Sequence, residues 1–117
     1  MDYQRTLGET VQAARIRADL SLRDLAKMMS VSPSYLSDIE NDRRTPSEEV
    51  LSELAKQLHI DFDDVMALAG RFGEKADRYL KRQPMAGVLF RRLSDANAPT
   101  EVINKLINEV ETGNQSR

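Results

Sequence analysis

Residues 21–46, SLRDLAKMMSVSPSYLSDIENDRRTP, contain two short segments of helical periodicity with a break between them. In the first segment Leu25 and Ala26 fall on the inner face, and the small side chain of Ala26 lets another helix cross closely. Ser32 and Pro33 then have the residue types that favour the N-cap and the first turn of a helix. The stretch therefore predicts two short helices joined by a tight turn.

The outer face of the second predicted helix carries side chains that are unusual for a surface facing only water. Leu36 and Ile39 place one side of this helix on the core, and short polar residues remain on the other side. The outer positions are Pro33, Ser34, Ser37, Asp38 and Asn41. Small polar side chains permit close approach and hydrogen bonding inside a DNA groove. The pattern favours a helix-turn-helix that inserts its second helix into DNA.

Helical periodicity continues on both sides of this motif, and no segment alternates long enough to predict a strand. Ser47 and Asp61 are suited to cap two further helices, and Gly70 is suited to end the last of them. We therefore expect an all-α fold, with a five-helix unit over residues 1–70 and a helical extension over 71–117. The expected inward positions outside the motif are Leu7, Val11, Ala14, Ala18, Val50, Leu51, Leu54, Ala55, Leu58, Phe62, Val65, Met66 and Ala69.

The extension begins with a basic segment. Residues 71–92 contain seven lysines and arginines against Glu74 and Asp77, a local net charge of +5 in a chain whose total is −2. Pro84 interrupts this segment, and residues 94–99 have the composition of a loop. A solvated basic helix face and a second contact with DNA are both compatible with this pattern.

The end of the extension is a helix predicted over residues 100–111, with fraying expected from Gly113 onward. Its apolar stripe, and an apolar cluster just past Pro84, need a partner, because so short a helix is marginal in water by itself. We predict that both segments pack against a second copy of the chain in a two-fold homodimer. Folding back onto the same chain is the alternative. The predicted dimer contacts are Leu89, Phe90, Leu93, Val102, Ile103, Leu106, Ile107 and Val110.

Composition excludes several classes of protein. The 117 residues allow one small domain with an extension, and no apolar run approaches the roughly 18 residues of a transmembrane helix. The chain has no cysteine, which excludes disulfides, a thiolate nucleophile and a cysteine zinc site. The N-terminus lacks an apolar secretory segment, so we expect a cytoplasmic protein without membrane contact.

Residues 7–68 resemble the lambda-repressor-like, or Cro/XRE, helix-turn-helix family. The resemblance is carried by SPSYLSDIEN at residues 32–41, followed by Arg43, Arg44, Thr45 and Pro46. It implies a sequence-specific transcriptional regulator that binds a pseudo-palindromic site on double-stranded DNA as a homodimer, with its second motif helix in the major groove. The base-facing positions implied are Pro33, Ser34, Ser37 and Asp38, and the phosphate-contacting positions are Ser32, Tyr35, Asn41, Arg43 and Arg44.

Three positions depart from the family pattern. Glycine is usual where this chain has Ser30 in the turn and Asp42 after the second motif helix. Aspartate, however, tolerates left-handed backbone geometry better than most residues. A polar residue that clamps a phosphate is usual at the position of Leu22, and we expect Arg23 or Arg17 to replace it.

Several of the implied residues have structural interpretations. Arg15 and Glu40 match family positions that form an ion pair between the first and third helices, which is a role in the fold. Tyr35 could pack its ring on the edge of the domain instead of contacting a phosphate. Asp38 could accept from a cytosine amino group or merely pair with Arg43. The two arginines that follow the motif could likewise be ordinary solvated charges.

An enzyme is not indicated by the sequence. His59 is the single histidine and lies in a predicted interhelix turn without a readable Ser–Asp arrangement. Asp61, Asp63 and Asp64 sit at a predicted helix start, where carboxylates cap free N–H groups and need no metal. No glycine-rich phosphate loop is present. We therefore expect no catalytic residue, metal, cofactor or small-molecule ligand.

The function predicted from these observations is transcriptional repression, because a small dimer over a promoter blocks polymerase without further parts. An alternative within the same class is an antitoxin or immunity repressor of a mobile element, whose extension binds a toxin or a partner protease. A protein-interaction module of the same fold is another alternative. Its recognition face would be largely acidic or apolar, whereas this face is rich in serine and flanked by arginines.

Overall fold

The structure is a computed structural model that describes residues 5–115, and these residues form eight α-helices without a strand. They divide into two compact units, one ending at Lys75 and the other beginning at Ala76. The predicted all-α class is confirmed. The helices are α1 (Leu7–Arg17), α2 (Leu22–Met28), α3 (Pro33–Glu40), α4 (Glu48–Leu58), α5 (Phe62–Leu68), α6 (Glu74–Arg82), α7 (Pro84–Asp95) and α8 (Thr100–Gln115).

Helices α1 to α5 each begin where a side-chain oxygen accepts the backbone N–H of a residue three positions further on. Such a cap satisfies a donor that the helix itself cannot pair, and it contributes about 1 kcal/mol. At α3 the cap is reinforced by Pro33, whose fixed φ suits the first helical position. The capping pairs are Thr6 with Glu9, Ser21 with Asp24, Ser32 with Tyr35, Ser47 with Val50, and Asp61 with Asp64.

One hydrophobic core joins α1 to α5 in the first unit. Two sequence predictions for this core are wrong. Ala18 is exposed, because α1 ends at Arg17 and Ala18 is its C-cap. Phe62 is the first residue of α5 and keeps 38% of its surface exposed. The largest apolar side chains of this core that are fully buried are Val11, Leu25, Leu36, Ile39, Leu51, Leu54 and Val65.

The second unit contains helices, but no side chain between residues 76 and 113 is buried. Pro84 occupies the first turn of α7 and therefore begins a helix there. A loop was predicted over residues 94–99. Because α7 continues to Asp95, the connection between α7 and α8 contains only residues 96–99.

Helix α8 extends past its predicted end at Glu111 to Gln115, and residues 116–117 lie outside the described range. None of the helices between residues 5 and 115 combines the length and the apolar character needed to cross a bilayer.

Candidate nucleic-acid interface

Backbone hydrogen bonds around Ser30 hold the turn between α2 and α3. Ser30 has a φ of +57°, the left-handed conformation that glycine adopts most readily. Its N–H donates to the carbonyl oxygen of Lys27 at 3.1 Å, and the N–H of Val31 donates to that of Ala26 at 2.9 Å. These bonds close the C-terminal end of α2 and allow α3 to begin at Pro33 against the same core.

The outward side of α3 presents short polar groups. Ser32, Pro33 and Ser34 are exposed, whereas Ser37 and Asp38 are half-buried. An open depression of about 490 Å³ lies on this side, lined by Val31, Ser32, Ser34, Tyr35, Asp38 and Arg44. Apart from Tyr35 and Arg44, the side chains that line this depression are short, and the hydroxyl and carboxylate groups of Ser32, Ser34 and Asp38 can reach base edges.

Arg44 lies over the aromatic ring of Tyr35. Its guanidinium carbon is 5.1 Å from the ring centroid, within the range of a cation–π contact. Tyr35 is half-buried and packs against the core, so its ring is a fixed support for an exposed positive charge. A cation supported in this way loses less side-chain freedom on meeting a phosphate than an unsupported arginine would.

Asp38 and Arg43 are neighbours in the free protein. Arg43 Nη1 lies 3.8 Å from Asp38 Oδ1, and the two side chains are 71% and 37% exposed. An exposed ion pair at this distance contributes roughly 0–1 kcal/mol. The structure therefore contains the ion pair between Asp38 and Arg43 that was the alternative to a base contact. This pair is weak enough for a nucleic acid to displace.

The remaining phosphate candidates lie around the ends of α1, α2 and α3. Asn41 Nδ2 donates to the carbonyl oxygen of Ser37 at 2.9 Å and to Ser37 Oγ at 3.3 Å, which closes the C-terminal end of α3. Arg17 and Arg23 are both exposed, whereas Leu22 packs against the core. Leu22 thus cannot clamp a phosphate, and either arginine is accessible for that contact.

Arg15 and Glu40 join α1 to α3 through a bidentate ion pair. Arg15 Nε donates to Glu40 Oε2 at 2.7 Å, and Arg15 Nη2 donates to Glu40 Oε1 at 3.1 Å. Only 13% and 4% of the two side chains are exposed. The hydrogen bond to Glu40 raises the pKa of Arg15 above its ordinary value, against the opposing effect of burial. The pair fixes the C-terminal end of α3 and takes no part in the exposed surface.

A second connection between α1 and α3 involves Asp42, which the sequence singled out only as a missing glycine. Asp42 has a φ of +58°, and its carboxylate accepts from Thr6 Oγ1 at 2.6 Å and from the N–H of Gly8 at 2.9 Å. A Cβ at Gly8 would collide with the carbonyl oxygens of Ile39 and Glu40. The first turn of α1 therefore lies directly against the end of α3. The signal in the sequence was Gly8, an isolated glycine within a helical pattern.

The residues that suggested an enzyme or a metal site have structural roles. His59 is exposed and ends α4 in the left-handed conformation, with a φ of 55°. Asp61 Oδ1 accepts from the N–H of Asp64 and caps α5. Among the described residues, no group of histidine and carboxylate side chains is arranged to hold a metal ion.

Comparisons with known proteins agree with this geometry. A helix-turn-helix family model matches residues 11–65. Over 63 residues the chain is 38% identical to an uncharacterized HTH-type transcriptional regulator of Mycobacterium tuberculosis, with 54% of this chain and 45% of that protein covered. Over 81 residues it is 30% identical to the transcriptional regulator ClgR of the same organism, with 69% and 72% covered. Over 78 residues it is 31% identical to the immunity repressor protein of Bacillus phage phi105, with 67% and 54% covered.

The chain spans about half the length of the first and third of these relatives. Its matched region contains α2, the left-handed turn at Ser30 and α3. The resemblance found in residues 7–68 is confirmed, and the chain is a member of the Cro/C1-type helix-turn-helix family of DNA-binding transcriptional regulators.

Proposed function

We propose that the protein represses transcription by binding a pseudo-palindromic operator as a homodimer, with α3 of each protomer in a major groove. The observation that carries this proposal is the outward side of α3, where short polar groups lie beside an arginine supported on Tyr35. A groove-binding helix requires polar side chains that can hydrogen-bond with base edges, and flanking cations for the backbone. Both requirements are met within residues 32–44.

The residues divide into two roles. Side chains on the outward side of α3 contact base edges and set the preferred sequence, and groups around it contact phosphates and set affinity and register. The proposed base-contacting residues are Pro33, Ser34, Ser37 and Asp38. The proposed phosphate-contacting residues are Ser32, Tyr35, Asn41, Arg43, Arg44 and Arg23.

Dimerisation is proposed through α7 and α8. Five apolar side chains there are 39–65% exposed, and three more are half-buried. A chain segment that orders helices without burying any side chain gains little from the hydrophobic effect until another surface covers it. Binding to both halves of a pseudo-palindromic operator requires two α3 helices about 34 Å apart, one turn of DNA, and therefore two copies of the chain. The residues are Leu89, Phe90, Leu93, Val102, Ile103, Leu106, Ile107 and Val110.

Repression is favoured over activation because a dimer bound across a promoter needs no further contact to block polymerase. The similarity to an immunity repressor protein of a phage also supports repression. It also supports the second candidate, an immunity repressor or antitoxin of a mobile element, in which the extension binds a toxin or a protease. Copurification of the intact chain with the product of an adjacent gene would distinguish this candidate from a self-contained repressor.

The test compares Arg44→Ala with Lys56→Ala, which removes the same charge from an exposed position on α4. Fluorescence anisotropy with operator DNA and unrelated DNA at several salt concentrations gives the affinity and its salt slope. Arg44→Ala should weaken both DNAs by the same factor and reduce the slope by about 0.9 for each phosphate that is no longer neutralised. Equal affinities for the two variants would contradict the proposed place of Arg44 in the interface.

A further inference from the structure

The charges of the chain are unevenly distributed along it. Residues 1–70, which include the helix-turn-helix, contain eight basic and thirteen acidic side chains, a net charge of −5. Residues 71–92 contain seven basic and two acidic side chains, a net charge of +5. Residues 93–117 contain two basic and four acidic side chains, a net charge of −2. The segment that follows the DNA-binding helices is thus the positive part of the chain.

A net negative charge is an electrostatic cost for a protein that binds DNA. Double-stranded DNA carries one negative charge per roughly 1.7 Å of its axis, and most of the affinity of a DNA-binding protein comes from phosphate contacts. Arg43 and Arg44 supply such contacts locally. The remaining acidic side chains of residues 1–70 repel the backbone wherever they lie within the Debye length of about 8 Å. A nearby source of positive charge would offset this repulsion.

Helix α6 arranges basic side chains along one side. Lys75, Arg78 and Arg82 follow at intervals of three and four residues, the spacing that aligns side chains on a helix. Glu74 and Asp77 lie four positions before Arg78 and Lys81, so each of these two basic side chains shares a face with one acidic side chain. Lys75 and Arg82 have no acidic residue of α6 three or four positions away. Lys75, Lys81 and Arg82 are exposed, and no side chain of α6 is buried.

We propose that α6 is a second DNA-binding surface, which contacts phosphates and carries no sequence information. This proposal rests on the proposed function, in which α3 enters a groove of the same DNA. The choice of DNA as the partner follows from charge complementarity and from chain connectivity. Only residues 69–73 separate α5 from α6 along the chain, although most of α6 belongs to the second compact unit. A tether this short gives the basic stripe a high effective concentration at DNA bound by α3.

The test uses the full chain with Lys75→Ala, Lys81→Ala and Arg82→Ala combined. Its matched control combines Lys27→Ala, Lys56→Ala and Lys105→Ala, which removes three exposed charges from other helices and gives the same net charge. Anisotropy titrations with operator DNA and unrelated DNA are repeated from low to high salt. Circular dichroism and light scattering show whether each variant keeps its helices and its mass.

The α6 variant should bind both DNAs about tenfold or more weakly at physiological salt, with the salt slope reduced by about 0.9 for each phosphate that α6 no longer neutralises. The preferred base sequence should not change, and the control should bind nearly as the unmodified protein does. Equal binding by the two triple variants would overturn the proposal, and so would an altered base preference. A lower mass for the α6 variant alone would assign α6 to the dimer interface instead.

Two further outcomes separate this proposal from the one on which it rests. If the unmodified protein binds no DNA, the proposed function itself fails, and this failure does not depend on the substitutions in α6. If the triple variant binds DNA normally but no longer binds vesicles of phosphatidylglycerol that the unmodified protein binds, the basic stripe serves an anionic membrane, and the DNA assignment is wrong.

Discussion

Ser30 and Asp42 share one backbone conformation but should respond in opposite directions when each is replaced by glycine. Their φ angles are +57° and +58°. A residue with a Cβ costs roughly 1–2 kcal/mol in this left-handed region, and glycine avoids that cost at the expense of about 0.5–1 kcal/mol of extra chain entropy in the unfolded state. Ser30 is exposed. Ser30→Gly should therefore stabilise the protein by roughly 0.5–1 kcal/mol.

Asp42→Gly has a smaller backbone gain than Ser30→Gly, because aspartate tolerates the left-handed region better than most residues, and it also removes two hydrogen bonds. The carboxylate accepts from Thr6 Oγ1 and from the N–H of Gly8, and the second of these donors is part-buried at the start of α1. Hydrogen bonds to a charged acceptor contribute roughly 1.5–3 kcal/mol when buried and less when exposed, so we take about 1–1.5 kcal/mol for each. Even against a backbone gain of about 0.5–1 kcal/mol, the net result is a loss of about 1–2.5 kcal/mol.

Thermal unfolding followed by circular dichroism measures both effects. Because 1 kcal/mol shifts the Tm of a domain of this size by roughly 4–8 °C, Ser30→Gly should raise the Tm by roughly 4 °C and Asp42→Gly should lower it by roughly 8 °C. Asp42→Asn keeps an acceptor for Gly8 and a residue that tolerates the left-handed region, so its Tm should lie between those of Asp42→Gly and the unmodified protein. A rise in Tm for Asp42→Gly equal to that for Ser30→Gly would refute the role given to the carboxylate.

Three further predictions concern the fold, the base contacts and the dimer. Glu40→Ala leaves a largely buried guanidinium without its carboxylate and should destabilise the protein by roughly 3 kcal/mol, whereas Glu49→Ala, at an exposed position on α4, should be nearly neutral; equal melting temperatures would count against this ion pair. Asp38→Ala should change the preferred base at one position per half-site by roughly 1–3 kcal/mol in titrations against operator variants; an unchanged preference would leave only its pairing with Arg43. A chain truncated after Gln83 should be monomeric by light scattering. A truncated chain that forms a stable dimer and binds the full operator as tightly as the intact chain would contradict the assignment of α7 and α8 to the dimer interface.

The parts of the fold that were predictable from the sequence are governed by neighbouring residues. Ser32 and Pro33 specify the start of α3 because a cap and a first-turn proline act within one turn of helix. Leu36 and Ile39 specify its inner side through helical periodicity alone. The same local rule holds at Pro84, where the proline begins a helix rather than merely interrupting one.

The features that the sequence did not predict depend on residues far apart in the chain. Asp42 and Gly8 are separated by 34 positions, and neither residue alone indicates that the carboxylate of one meets the N–H of the other. Pro46, in the connection between α3 and α4, is fully buried, which its sequence neighbours do not indicate. Tyr35 and Arg44 likewise come together through the path of this connection, which no local pattern describes.

Selection from a random DNA pool tests most directly whether the outward side of α3 selects DNA by its sequence. The intact protein is used for several rounds beside a variant that combines Ser34→Ala and Asp38→Ala, two changes at non-core positions of α3. We predict enrichment of a pseudo-palindrome whose half-site centres lie about 10 base pairs apart, with a changed preference at those half-sites in the variant. A pool that shows no enrichment, or the same consensus for both proteins, would contradict this role of α3.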